Sequence, residues 1–172
     1  MARCRSYGFD ASAADLFTPA KPLLAAAPWV FVRGNYEACF GAGQGWFRFL
    51  DSQPWREARS CNDPKLDPEA DYSDPYAVGI TPDTQFIVFD SAKASGKSFT
   101  TTDPAYNKYK VQTLVVNQLT QQKPHYLSFS HHPLLAVAPS HGTGKVGPGG
   151  NTGLQSVFGS VYPARLSPMA LT

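Results

Sequence analysis

No stretch of this chain approaches the ~18 consecutive apolar residues of a membrane-spanning helix, and the region Pro19 to Val32 is interrupted by Lys21, Pro22 and Pro28. A membrane partner is therefore not expected. Basic runs of five or more residues are absent and the formal charge is only +2, so a nucleic-acid partner has no electrostatic footprint either. The segment Met1 to Asp10 lacks the apolar core of a secretory signal, which makes a cytoplasmic location the expectation. Cysteine is scarce, at three residues. Cys39 and Cys61 flank an aromatic segment, and two states stay open: one bridge between them that leaves Cys4 single, or three reduced thiols.

What is abundant is turn chemistry. Fifteen prolines and 14 glycines with 16% charged residues describe a loop-rich α/β chain of 172 residues, long enough to bury a sizeable core as one domain. Asp10 is placed to cap a helix from Ala11 to about Leu16, with Pro19 and Pro22 breaking it before a short turn at Leu23 to Ala26. Trp29 to Arg33 reads as a strand buried on both faces, and Gly34 supplies the freedom to turn out of it. Between Gly41 and Arg59, Trp46, Phe47, Phe49 and Trp55 suggest a local aromatic core. Tyr76 to Ile80 and Gln85 to Phe89 suggest a hairpin through Thr81-Pro82-Asp83-Thr84. A helix is expected from Pro104 to about Gln121, capped by Asp103, with Tyr109, Leu114, Val115 and Leu119 on its sheet-facing stripe. The strand Tyr126 to Ser130 follows, and a flexible tail is expected from about Ser140.

Three stretches imitate ligand motifs. The acid-rich segment Asn62 to Pro75 lacks the Asp-x-Asp spacing and turn glycine of a calcium loop, and reads as solvated. Ser91 to Ser98 ends in Gly-Lys-Ser like a phosphate-binding loop, but β-favouring residues and Pro104 follow where such a loop needs a helix. Gly142, Gly144 and Gly147 match a dinucleotide fingerprint literally, yet Pro148 forbids the helix it requires.

Three further segments carry a family resemblance. Arg33-Gly34-Asn35-Tyr36-Glu37, leaving an apolar run, is similar to the Gly-Asn-His-Glu signature of the calcineurin-like metallophosphoesterases, and its context looks like a bacterial branch. Tyr126 to Leu134, with Ser130-His131-His132-Pro133, resembles the strand and His-x-Pro segment of the same enzymes. Gln85 to Ser91 resembles the strand between them. The resemblance implies a layered α/β (α+β) sandwich, a mixed sheet with flanking helices, here incomplete: the Asp-x-His, Gly-Asp-x-x-Asp and Gly-His-x-His segments of the family have no counterpart in this sequence.

It further implies metal-dependent hydrolysis of phosphate esters by two divalent ions, Mn, Fe or Zn, gripping a phosphoester small molecule or phosphoprotein. Carried over residue by residue, Asn35 and His131 are the metal ligands. Tyr36 takes the position of the family's catalytic His, with an unperturbed pKa near ~10 that makes it a poor proton shuttle at neutral pH. His132 is a candidate for contacting the bound anion, although adjacent residues leaving a strand point opposite ways, which assigns the site-facing position to His131. With so few ligands, the alternative is a catalytically inactive remnant acting through binding. Unpaired sheet edges of an incomplete sandwich also imply self-association.

Overall fold

The computed structural model describes residues 13–63, 65, 71–94, 96–139 and 146–161. Their architecture is α+β, a small mixed sheet with helices packed against it. A π-helical turn, Ala13–Phe17, runs straight into helix α1, Thr18–Ala26. The break expected at Pro19 and Pro22 does not occur. Pro19 falls in the first turn, where its missing N–H has no helical partner to lose, and Pro22 is accommodated inside the short helix. Asp10, Cys4, His141 and the dinucleotide lookalike's Gly142 and Gly144 lie outside the described residues.

The strand expected at Trp29 to Arg33 is not formed: this stretch joins no ladder among the described residues. Trp29 stays 47% exposed, stacked on Phe31 at 6.0 Å and donating its indole N–H to Leu23 O at 3.0 Å. An apolar run forms a buried strand only where neighbouring strands take up its backbone groups. Here side-chain bonds, among them that from Tyr76 Oη to Phe31 O at 2.9 Å, tie the run to the sheet.

Strands β1, Tyr76–Gly79, and β2, Thr84–Val88, form the expected antiparallel hairpin, with Tyr76 opposite Val88 and Gly79 opposite Gln85. Helix α2, Gly43–Phe49, precedes them in the chain. Helix α3, Pro104–Thr120, crosses from β2 to β3, His125–Phe129, which lies parallel to β2 with Thr84 opposite His125. Asp103 stands before α3 as expected, but its carboxylate turns back to accept from Thr100 N at 2.7 Å and does not cap the helix. The sheet order is β1-β2-β3, so β3 is an edge. All five of its residues are exposed, and Leu127 shows 54% of its surface.

The buried face of α3 keeps part of the predicted stripe, with Tyr109 fully buried and Leu119 packed against the core, but is rotated from the rest of it. Tyr106, Tyr109, Gln112, Thr113 and Val116 face inward, while Leu114 is 47% exposed. Tyr109 sets the helix's rotation: it is fully buried and contacts Tyr72, Phe89 and Phe99 at centroid distances of 5.7 to 5.8 Å. Beyond β3, strands β4, Ala136–Pro139, and β5, Val146–Gly149, make a second, two-stranded ladder. Helix α4, Thr152–Val161, follows. The stretch expected to trail loosely from about Ser140 therefore carries regular structure in its described part, and Leu154 and Val157 complete the main core. Asn151 starts α4 by accepting from Leu154 N at 2.9 Å.

A second, smaller core gathers Cys39, Trp46, Phe47 and Cys61 under α2. Cys39 and Cys61 are disulfide-bonded, with Cα atoms 5.0 Å apart. Of the four aromatics predicted to pack there, Trp46 and Phe47 are buried, Phe49 is half-buried and Trp55 sits at the surface beneath Arg48.

Candidate functional site

Parallel β2 and β3 end at the same edge of the sheet, and the residues just beyond them, Asp90 and Ser91 on one side and Ser130 to His132 on the other, collect there. This is the end at which parallel sheets present chemistry. The single 3-10 turn Asn35–Glu37 comes to the same place. Asn35 Oδ1 meets His131 Nε2 at 3.1 Å across 96 residues of sequence. The two positions assigned as metal ligands are thus brought together, with the ring nitrogen donating to the amide oxygen.

Gly34 explains how the turn gets so close. A Cβ there would stand 2.9 Å from Glu37 Oε2 and 3.3 Å from His131 Nδ1. Its φ of −100° is open to any residue, so close approach, not the turning freedom read from the sequence, is what favours glycine. Glu37 Oε2 accepts from Gly34 N at 3.1 Å and closes the turn.

His132 departs from expectation. Instead of pointing away, its ring lies edge-on to His131 with centroids 4.7 Å apart. Ser91 holds it: His132 N donates to Ser91 Oγ at 2.7 Å and His132 Nδ1 pairs with Ser91 O at 2.8 Å. The strand's alternation ends at Phe129, so bonds to Ser91 at the β2 exit, not pleat, orient the His132 ring, and the contact with Asn35 holds His131. Tyr36, the catalytic candidate, is 74% exposed and has turned to solvent. Beside His131 opens a shallow cleft of about 650 Å³, walled by Val32, Phe129, Ser130, Pro133 and Leu134.

Beneath this surface lies an ionic junction that sequence inspection missed. Arg33 is 1% exposed. Its guanidinium bonds the Asp71 carboxylate, donates to Asp90 Oδ2 at 2.9 Å and to Asp71 O at 3.0 Å, and reaches Glu37 O at 2.9 Å. Burial alone would pull the guanidinium down, and the charges of Asp90 and Asp71 more than reverse that, holding it above its ordinary value. Asp90 Oδ2 also accepts from Ser73 N at 2.7 Å and Oδ1 from Ala92 N at 2.8 Å. Asp71 accepts from Cys39 N at 2.9 Å and Lys93 Nζ at 2.8 Å. The side-chain oxygens of both acids are spoken for. Burial raises the neighbouring Tyr109 phenol far above its usual range, with the Asp90 charge adding to it, so it stays a neutral acceptor for Lys93 N at 3.1 Å.

The donor set does not fit a two-ion centre. A catalytic metal takes at least about three protein ligands, and among the described residues no cluster of three or more His, Cys, Asp or Glu side chains is poised to hold one. Asn35 and His131 supply one neutral amide and one imidazole, and the nearby carboxylates of Asp71 and Asp90 neutralise Arg33. Of the phosphate-loop lookalike, Ser91 is fully buried and Lys93 is committed to Asp71. No family model, curated protein or solved structure matches the chain.

Proposed function

We propose that the chain is a metallophosphoesterase-like domain whose chemistry class is hydrolysis of phosphate esters, and that by itself it holds one edge of that site and does not turn over. The reading rests on the convergence of Asn35 and His131: the two ligand positions carried over from the resemblance, far apart in sequence, meet at 3.1 Å at the carboxyl ends of parallel strands. Silence follows from the donor count and from Tyr36, which stands largely exposed at the position of the family's His. The test is hydrolysis of a chromogenic phosphomonoester and a phosphodiester with added Mn²⁺, Zn²⁺ or Fe²⁺, with Asn35→Ala and His131→Ala as controls. The expected result is no turnover and no metal retained after dialysis. Metal-dependent turnover lost in both variants would overturn the silence, and turnover untouched by either would place the chemistry elsewhere.

A binding role is favoured by a separate observation. The outer edge of β3 pairs with no strand among the described residues and carries exposed Tyr126 and Leu127, which suits association with a second copy edge to edge.

A further inference from the structure

We infer that the Cys39–Cys61 disulfide is a redox-sensitive clamp that holds the Asn35 turn against His131, so that the chain assembles this site only in an oxidising compartment. The two sulfurs sit at the centre of the smaller core, and both cysteines are completely buried. Among the described residues that core gathers four buried hydrophobic residues with Phe31 and Leu50 packed against them, a small apolar burial for the loops it must order. Cys39 lies two residues past the Asn35–Glu37 turn, and its N–H donates to Asp71. Cys61 N donates to Gln44 Oε1 at 2.8 Å, and a Cβ on Gly43 would meet Cys61 Sγ at 3.0 Å, so the bridge is packed into the bend that follows the turn. Breaking it frees the 39–61 loop from the turn that positions Asn35. The main core of β2, α3 and α4 contains neither cysteine and keeps its own packing.

Formation of the clamp balances as ordinary exchange with a disulfide oxidant. One cysteine thiolate attacks the oxidant, forming a mixed disulfide and expelling one thiol. The second thiolate then displaces the other. Two electrons pass to the oxidant, which leaves as two thiols carrying the cysteine protons. In a cytoplasm the reduced glutathione pool keeps the thiols of a newly made chain from bridging before the core closes over them, so the inference sets the functional form of the protein apart from the cytoplasmic expectation.

Amide hydrogen exchange on the full chain, with and without a phosphine reductant, tests it, together with non-reducing peptide mapping. Mapping should recover residues 39 and 61 as one cross-linked species. Reduction should speed exchange across 34–61 on the order of 100-fold, the scale of closing such a loop, while α3 changes by less than about threefold. The His131 ring resonances should move on reduction to those of the Asn35→Ala variant. Cys39→Ser with Cys61→Ser should reproduce the reduced state, and reduction of the natural chain decides the matter if that variant does not fold. Recovery of both residues as free thiols, unchanged exchange in 34–61, or an equal rise throughout α3 would each overturn the proposal. None of these readouts depends on catalysis.

Discussion

The two cores of this protein are held in different ways. The larger one, from Tyr72 and Ile87 to Leu154 and Val157, is apolar and regular: a hairpin, a βαβ crossover and a closing helix. The smaller one has a single short helix, and its cohesion comes from a disulfide, the Arg33 junction and guanidinium groups over the Phe47 ring, Arg33 at 4.7 Å and Arg59 at 5.4 Å. Arg59 adds an ion pair to Asp51 at 2.8 Å. The candidate site lies at the seam, His131 coming from the first region and Asn35 from the second. Regular structure supplies a stable platform, and irregular structure supplies a part that can be moved.

Removing the junction's cation should separate the regions most. Arg33→Ala removes the cation paired with buried Asp90 and leaves Asp71 to Lys93, and is expected to cost about 3 to 5 kcal/mol, read as a fall in the urea midpoint, with exchange rising first in 34–61. A uniform rise through α3 would show that the cores unfold as one. Leu154→Ala attacks the other side. Loss of a fully buried leucine should cost about 3 kcal/mol and loosen α4 and α3 while the aromatic module keeps its protection. Gly34→Ala should cost about 1 kcal/mol, since Glu37 and His131 side chains can shift aside, yet it should part Asn35 from His131, visible in the His131 ring resonances. At the small end, Leu127→Lys on the exposed edge should leave stability within about 0.5 kcal/mol. Its effect should appear as a lower apparent mass in sedimentation at high concentration, and an unchanged mass would remove the edge-to-edge reading.

Legibility in the sequence follows the same division. The hairpin, α3 and β3 were readable because alternation, proline placement and helix signals are local. Trp29 to Val32 misled because a hydrophobic run does not say whether a ladder exists to receive it. Helix α4 was missed although a signal was present: Asn151 stands in the capping position and Leu154, Val157, Phe158 and Val161 recur at helical spacing, overshadowed by the glycine-rich stretch before them. At the candidate site, resemblance alone points to Asn35 and His131, whose side chains meet, and Gly34 matters there through close approach. The Arg33 junction was illegible in principle, because an arginine inside an apolar run becomes meaningful only when Asp71 and Asp90, from two other segments, arrive around it.

That arginine has a consequence for the solvent the protein can tolerate. Dissolved ions weaken charge pairs they can surround, with a reach of about 8 Å at physiological ionic strength, and an exposed contact such as Arg59 to Asp74, where the acid is 67% exposed, is open to them. The Arg33 side chain and its two acids are 1 to 2% exposed, beyond the approach of salt. Brine will therefore strip the rim of the smaller core while its keystone stays in place.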